Sequence, residues 1–236
     1  MSELSEMSWH THEGVDACAR ALGEAVAASV TAAIDARGRG LLALSGGNTP
    51  IPFLGHLRTH DLDWSALEVV LVDERWCPHT DARSNYGMIC RILSEGASAA
   101  ATVRPLWRPA VSLEEGARLA SEVLADPMRL DVLVLGMGMD GHTASWIPDA
   151  EGLDAALEDR GDAVVPIWPS DGREARLTLT RRIITGARAR FLHITGAGKR
   201  DVLCRANSPG PWAALPIRAA FDGVPLQVYW SSEDAP

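Results

Sequence analysis

The stretch that decides the fold is DVLVLGMGMDGHT, residues 131–143, in which a short apolar run leads directly into a glycine-rich turn. A short apolar run that ends at glycine is typical of a strand buried on both faces. Similar runs occur at residues 41–44 (LLAL), 68–72 (EVVLV) and 191–195 (FLHIT), each followed by glycine, charged or hydroxyl residues. These stretches therefore predict the strands of one sheet.

Helical patterns separate these runs. Residues 15–36 are rich in alanine, carry apolar residues at helical spacing and are followed by Gly38 and Gly40, which is typical of a helix and its end. Pro50 is suited to the first turn of a second helix. Further elements are predicted as helices at residues 85–93, 113–124, 179–185 and 198–205, and as strands at residues 164–168 and 226–230.

The alternation of helices with continuously apolar strands defines the fold class, because it is the pattern of a parallel sheet covered on both faces. We therefore predict an α/β fold, with a single domain over residues 1–236. Its sheet is expected to be mostly parallel, doubly wound and open, with helices on both faces and room for a minor subdomain. Residues 1–12 are polar and are predicted to be a frayed terminus.

The charge of the chain argues against several classes of partner. The 236 residues carry a formal net charge of −9, and the pI is near 5.2. Nucleic acids and anionic membranes require a basic surface, so neither is expected as a partner. Among the 22 basic residues, Lys199 is the single lysine. Because an ammonium is a compact point charge and a guanidinium a planar fork, Lys199 is a candidate for a specific task.

The start of the chain and its cysteines indicate a cytoplasmic protein. No apolar run approaches the ~18–20 residues that cross a bilayer. The polar, acidic first residues lack the basic and apolar segments of a signal peptide or transit peptide. The four cysteines form no CxxC pattern and are predicted to be free thiols.

The first candidate site is the turn SGGNTP, residues 45–50, between a predicted strand and a predicted helix. Its glycines let a ligand approach the backbone, and the free N–H groups of the helix start attract an anion such as phosphate. An ordinary helix cap is the alternative, because Asn48 or Thr49 would cap a helix without any ligand. The candidate binding residues are Gly46, Gly47, Asn48 and Thr49.

Charged residues end the second apolar run abruptly. Asp73, Glu74 and Arg75 follow it directly, and Asn85 lies a little downstream. Ligands of open parallel sheets bind beyond the carboxyl ends of the strands, so these side chains are candidates for the same site. A solvated cluster of salt bridges is the alternative.

The turn after the third strand contains a GxGxxG pattern, formed by Gly136, Gly138 and Gly141. This pattern occurs in dinucleotide-binding proteins, where it continues into a long helix. Here Pro148 follows soon after the last glycine, and no acid ends a second strand about twenty residues on. The pattern is therefore weak evidence for a nucleotide cofactor.

His142 and Asp140 give this turn a different interpretation. Histidine titrates near neutral pH and acts as a general base when a carboxylate fixes its orientation. Either Asp140 or Asp73 could supply that carboxylate. A structural histidine is the alternative, but an imidazole among glycines at a strand end favours chemistry.

Two further cations complete the candidate site. Arg176 can grip a phosphate with two hydrogen bonds, and Lys199 at a helix start can add a point charge. Taken singly, each could also be an ordinary surface cation. The remaining histidines show no spacing typical of metal ligands. We therefore predict no metal and no cofactor.

These motifs together resemble the 6-phosphogluconolactonase family, which shares its broader group with the glucosamine-6-phosphate deaminases. The resemblance covers about residues 41–205, and the pair DGHTAS and DER…SNY is its most specific part. The matching segments, in family order, are SGGNTP, DERWCPHTDARSNY, GMGMDGHTASWIPD, RLTLT and FLHITGAGKRDVL.

The resemblance implies an enzyme of the oxidative pentose phosphate pathway. It implies hydrolysis of 6-phospho-D-glucono-1,5-lactone to 6-phosphogluconate, with His142 as the base that activates water. Asp140, Asp73 and Arg75 would complete the catalytic set. The residues implied to bind the sugar and its phosphate are Gly46, Gly47, Asn48, Thr49, Asn85, Arg176 and Lys199.

Two alternatives stay open at this point. The deaminases of the group carry a catalytic glutamate five residues after the histidine, where this chain has Ile147. That difference favours the lactonase over a deaminase or isomerase. A non-catalytic sugar-phosphate sensor is the second alternative, although no basic helical segment suited to DNA lies at either end.

Overall fold

The sheet that the apolar runs predict has seven strands. The computed structural model describes residues 7–110, 112–124 and 129–233. Its strands are β1 (Ser8–His12), β2 (Gly40–Leu44), β3 (Leu67–Leu71), β4 (Asp73–Arg75), β5 (Thr102–Arg104), β6 (Val132–Leu135), β7 (Val164–Ile167), β8 (Arg176–Leu179), β9 (Ala189–Thr195) and β10 (Leu226–Ser231). The main sheet has the order β1-β10-β9-β6-β2-β3-β5, and all its neighbouring strands are parallel.

Helices cover this sheet. In β3 the consecutive residues Val69, Val70 and Leu71 are all fully buried, as only a sheet covered on both faces allows. The predicted α/β class is therefore confirmed. The helices are α1 (Val15–Arg37), α2 (Pro50–Leu57), α3 (Asn85–Leu93), α4 (Leu113–Val123), α5 (Leu153–Leu157), α6 (Arg181–Thr185) and α7 (Ala197–Ala206).

Helix α1 is apolar and long enough, by length and composition alone, to cross a membrane. The expectation that no apolar run approaches this length is therefore wrong for α1, whose apolar pattern is interrupted by small and polar residues. One face of the helix carries Leu22, Val26 and Val30, which are buried. It contacts α2, β2 and β10, so it is packed as a core helix of the fold.

A second, smaller sheet lies beside the first. It has the order β4-β8-β7 and is antiparallel throughout. The register sets Asp73 opposite Thr178 and Arg75 opposite Arg176. The charged residues that end the second apolar run thus form a strand of their own, and the predicted helix at 179–185 begins only at Arg181.

The order of strands reverses between β2 and β6. From β2 the chain continues to β3 and β5 on one side, whereas β6 is followed by β9 and β10 on the other. The loops after β2 and β6 therefore diverge and leave a crevice at the carboxyl edge of the sheet, which is where ligands bind in doubly wound folds.

The N-terminal prediction needs a correction. Ser8–His12 is not frayed but forms the edge strand β1, with Trp9 opposite Val228 and His12 opposite Ser231. Ser8, Trp9 and Thr11 of this strand are exposed, so it contains no apolar run that would reveal it. Residues 1–6 of that prediction lie outside the described residues.

Candidate active site

A cavity of about 240 Å³ lies at the crevice between the loops after β2 and β6. Segments that are distant in the sequence meet around it, as the carboxyl-edge prediction requires. Asp140 is the one predicted site residue that does not border the cavity. Those that border it are Gly46, Gly47, Asn48, Thr49, Asp73, Arg75, Asn85, His142, Arg176 and Lys199.

The turn after β6 holds His142 in a defined orientation. Nδ1 of His142 lies 2.5 Å from Oδ1 of Asp140, and the backbone N–H of His142 donates to the same oxygen at 3.1 Å. The backbone N–H of Gly138 donates to the carbonyl of His142 at 2.9 Å. With Nδ1 engaged by a carboxylate, Nε2 is the ring nitrogen able to accept a proton.

Gly138 explains why the turn resembles a nucleotide-binding motif. A Cβ at this position would lie 2.2 Å from Cε1 of His142 and 2.7 Å from Oδ1 of Asp140. The glycine therefore makes room for the imidazole and its carboxylate. The chain then forms an isolated bridge between Thr143 and Trp146, and no long helix follows.

Asp140 is held in its ionised form. Burial by itself would raise the pKa of Asp140, but the hydrogen bond and charge of His142 and the hydrogen bond from Arg173 outweigh it and hold the pKa well below its usual value. Nη2 of Arg173 lies 3.2 Å from Oδ2 of Asp140 and is itself fixed by Asp171 at 2.6 Å. The imidazole thus faces a permanent negative charge.

Asp73 has different partners from Asp140. Its Oδ2 accepts a hydrogen bond from Oγ of Ser145 at 2.6 Å and lies 3.8 Å from Nη1 of Arg176. Burial lowers the pKa of Arg176, and the charge of Asp73 opposes that shift. Asp140, and not Asp73, is the carboxylate in contact with His142.

Glu74 organises the start of α3. Its buried carboxylate accepts hydrogen bonds from the hydroxyl of Ser84 and from the backbone N–H groups of Arg75, Asn85 and Tyr86, at 2.8–2.9 Å. Burial raises the pKa of Glu74, and these hydrogen bonds counteract the shift. The strand that carries Asp73 and the helix that carries Asn85 are thereby joined.

The glycine turn and Asn85 fit closely against each other. A Cβ at Gly46 would lie 1.9 Å from Oδ1 of Asn85, so only glycine fits here. Nδ2 of Asn85 donates to the carbonyl of Asp73 at 2.9 Å. The amide side chain is therefore held between the turn and β4.

Lys199 lies in the first turn of α7. That turn is tied to β10, because the backbone N–H of Gly196 donates to Ser231 and Nε1 of Trp230 donates to the carbonyl of Gly196, both at 2.9 Å. The guanidinium of Arg200 stacks on the ring of Trp230 at 4.7 Å from its centroid. These contacts fix the place where Lys199 reaches the cavity.

The cavity is electropositive within an acidic protein. Arg75, Arg176 and Lys199 border it, and among the described residues Asp73 is the one carboxylate that does so. Within the described residues, the buried Nε atoms of Arg75 and Arg176 have no hydrogen-bond partner. Because a buried donor without a partner is costly, these groups are suited to an anionic ligand.

Glu74 was a candidate together with Asp73 and Arg75, but it does not border the cavity and instead joins β4 to α3. Three residues that matter here were not predicted: Ser145, Arg173 and His193. Ser145 and Arg173 act on Asp73 and Asp140 through contacts between distant segments, which the sequence does not reveal. His193 lies within the apolar strand β9, so its position alone is typical of a core residue.

Among the described residues, no group of three or more histidine, cysteine or acidic side chains is arranged to hold a metal.

The fold and the cavity define a doubly wound α/β protein with an electropositive cavity at its switch point. A family model described as glucosamine-6-phosphate isomerases/6-phosphogluconolactonase matches residues 13–230. The chain belongs to this family, and the resemblance seen in its motifs is confirmed.

Individual relatives are similar over almost the whole chain. A 6-phosphogluconolactonase of Pseudomonas aeruginosa is 42% identical over 214 residues, which is 90% of each chain. A 6-phosphogluconolactonase of Rhizobium meliloti is 42% identical over 226 residues, covering 94% of this chain and 97% of the relative. The crystal structure of a 6-phosphogluconolactonase from Shewanella baltica has a TM-score of 0.93 at 33% identity, covering 98% of this chain and 100% of that one.

Proposed function

We propose that this protein is a 6-phosphogluconolactonase, which hydrolyses 6-phospho-D-glucono-1,5-lactone to 6-phosphogluconate in the oxidative pentose phosphate pathway. The observation that carries the proposal is the contact between Nδ1 of His142 and Oδ1 of Asp140, which are 2.5 Å apart. His142 borders a cavity that is also lined by the cations Arg75, Arg176 and Lys199. A proton acceptor and a set of cations in one cavity suit the hydrolysis of an ester substrate that carries a phosphate. The names of the relatives support the same substrate.

His142 acts as a general base in this proposal. Asp140 orients the ring through Nδ1, and Nε2 takes a proton from the water that attacks the lactone carbonyl. The bond between the carbonyl carbon and the ring oxygen then breaks, and the imidazolium returns the proton to that oxygen, which becomes the product hydroxyl. A six-membered lactone is already reactive, so the ~10²–10⁴ contribution of a general base is sufficient without a covalent intermediate.

The cations have two tasks. Arg75, or backbone N–H groups of the surrounding turns, stabilises the negative charge that develops on the carbonyl oxygen. Arg176, Lys199 and the turn from Gly46 to Thr49 hold the phosphate, while Asn85 contacts sugar hydroxyls. Binding the phosphate away from the reacting carbon fixes the ring for attack.

The deaminase alternative is not favoured. Ile147 occupies the position at which the deaminases carry a glutamate, and its side chain is buried in the core. No carboxylate is therefore available at that point to assist ring opening.

We propose a cytoplasmic enzyme that acts on a small phosphorylated lactone, with neither nucleic acid nor membrane as partner, in keeping with its net charge of −9.

The direct test is a lactonase assay. The lactone is generated in situ from glucose 6-phosphate by its dehydrogenase, and acid release is followed against the spontaneous ring opening. We expect catalysed release with this substrate and no ammonia from glucosamine 6-phosphate. Acid release at the spontaneous rate would exclude the proposal.

A further inference from the structure

His193 is a second histidine of the cavity and has no task in the mechanism above. It lies on β9, two residues before the strand ends, and borders the cavity together with the glycine turn and Lys199. The side chain is 2% exposed. Its ring packs edge-on against Phe53 of α2, with the two centroids 6.4 Å apart. The imidazole therefore lies between the glycine turn, which leads into α2, and the start of α7.

The polar atoms of this ring are not satisfied by the protein. Within the described residues, neither Nδ1 nor Nε2 of His193 has a hydrogen-bond partner, although both are buried. Burying a polar group without a partner is unfavourable, so such a group in a native fold calls for an explanation. The ring borders a cavity that also contains the unpartnered Nε donors of Arg75 and Arg176. A ligand bound in that cavity is the simplest explanation, because it would give all these groups a partner.

His193 can donate a hydrogen bond to a ligand without carrying a charge itself. Burial, with the charge of Lys199 added to it, lowers the pKa of His193 to about 4. At neutral pH the imidazole is uncharged and carries one N–H donor and one acceptor. Lys199 and Arg176 supply the charge in this part of the cavity, so an uncharged His193 can orient the ligand without adding a further buried cation.

We propose that His193 donates a hydrogen bond to the phosphate of the bound substrate and so contributes to the preference for phosphorylated over unphosphorylated sugar acids and lactones. This inference rests on the proposed function for the identity of the substrate. His193 lines the same cavity as Lys199 and Arg176, so a phosphate bound between those cations would lie against the ring. His193 is then a binding residue for the phosphate, beside Lys199.

The test is a binding measurement that needs no turnover. Inorganic phosphate and gluconate are titrated separately into the wild type, His193→Leu and His193→Gln by calorimetry. A hydrogen bond to a charged group makes His193→Leu weaken phosphate binding by about 10-fold or more, while gluconate binding changes little. His193→Gln retains an N–H donor and should recover most of the loss.

His10→Leu is the matched control. His10 also has a buried ring nitrogen without a partner in the described part of the chain, but it stacks on Tyr229 and does not border the cavity. The phosphate affinity of the His10→Leu variant should equal that of the wild type. An unchanged phosphate affinity in His193→Leu, or an equal loss for phosphate and gluconate, would overturn the inference. Absence of lactonase turnover with this His193-dependent phosphate binding intact would instead refute the proposed function alone.

Discussion

The carboxylates of Asp140 and Asp73 contact different partners. Asp140 touches Nδ1 of the imidazole, and His142, together with Arg173 on the other carboxylate oxygen, keeps it ionised. Asp73 is engaged by Ser145 and faces Arg176. The first arrangement fixes the orientation of the imidazole, whereas the second keeps a buried guanidinium from being an uncompensated charge. We therefore propose that the residues act as two pairs, one for proton transfer and one for ligand binding.

The first prediction concerns the base. His142→Ala should lower kcat by about 10²–10⁴, the usual contribution of a general base, and leave KM nearly unchanged. His60→Ala serves as the control, because His60 lies outside the cavity and should retain wild-type kinetics. Steady-state kinetics with the lactone generated in situ measures both. A wild-type kcat in His142→Ala would remove this residue from the mechanism.

The second prediction concerns the ionised carboxylate. Asp140→Asn keeps the shape of the side chain but removes its charge, so kcat/KM should fall by about 10² through loss of the correctly oriented imidazole. Asp171→Asn offers a graded comparison, since Asp171 contacts Arg173 rather than His142. Its effect on kcat/KM should be clearly smaller.

The stability of the same variant should depend on pH with a defined sign. The folded pKa of Asp140 lies below its usual value, so the carboxylate stabilises the fold above the unfolded pKa of about 3.9. That contribution is lost as the pH falls from there through the folded pKa. The difference in Tm between wild type and Asp140→Asn should therefore be widest above about pH 5 and shrink below about pH 4. A difference that stays constant over this range would contradict the assignment.

At the scale of elements, the glycine turn and α3 are joined by steric fit. Gly46→Ala would set a Cβ against the amide of Asn85, which is held by the carbonyl of Asp73. Overpacking of this kind costs about 1–3 kcal/mol, and displacement of Asn85 should also raise KM. Chemical denaturation and steady-state kinetics measure the two effects.

Gly55→Ala is the matched control for that change. Gly55 lies in α2, and a Cβ there would meet nothing within 4 Å. Alanine is a better helix former than glycine, so the free energy of unfolding should rise by about 0.5–1 kcal/mol with KM unchanged. Equal destabilisation by both substitutions would show that the close contact at Gly46 is not the cause.

The elements also show what a sequence can reveal. The buried strands β2, β3, β6 and β9 are detectable because burial on both faces requires continuous apolar runs. The candidate site was predictable for the same reason, since chemistry-bearing residues follow those strands directly. The antiparallel sheet was not, because β4 consists of the charged residues Asp73–Arg75 and pairs with a strand about a hundred residues away. Contacts such as Arg173 with Asp140 depend on that long-range pairing and have no local signal.

At the scale of the whole molecule, the fold resolves a conflict of charge. The chain carries a net charge of −9, yet its proposed substrate is an anion. Arg75 on β4, Arg176 on β8 and Lys199 on α7 come from different elements and converge at the switch point. The walls of a cavity focus such a local field, while distant surface carboxylates are screened beyond about 8–10 Å at physiological salt. Local convergence therefore outweighs the overall charge.

The last prediction tests whether the edge strand supports this convergence. Trp9 of β1 lies 6.0 Å from the guanidinium of Arg200, which also stacks on Trp230 at 4.7 Å. Arg200 follows Lys199, so this stack links the N-terminal strand to the cation of the cavity. An exposed cation–π contact is worth about 0.5–1 kcal/mol, so Trp9→Ala should lower the free energy of unfolding by about that amount.

If the stack also positions α7, KM should rise about two- to fivefold, which is the same free energy expressed as binding, while kcat remains unchanged. Thr11→Ala is the control, because Thr11 is an exposed residue of the same strand and should leave KM unaltered. Loss of stability in Trp9→Ala without any change in KM would mean that β1 completes the sheet but does not position Lys199. A rise in KM specific to Trp9→Ala would extend the functional unit from the switch point to the edge of the sheet.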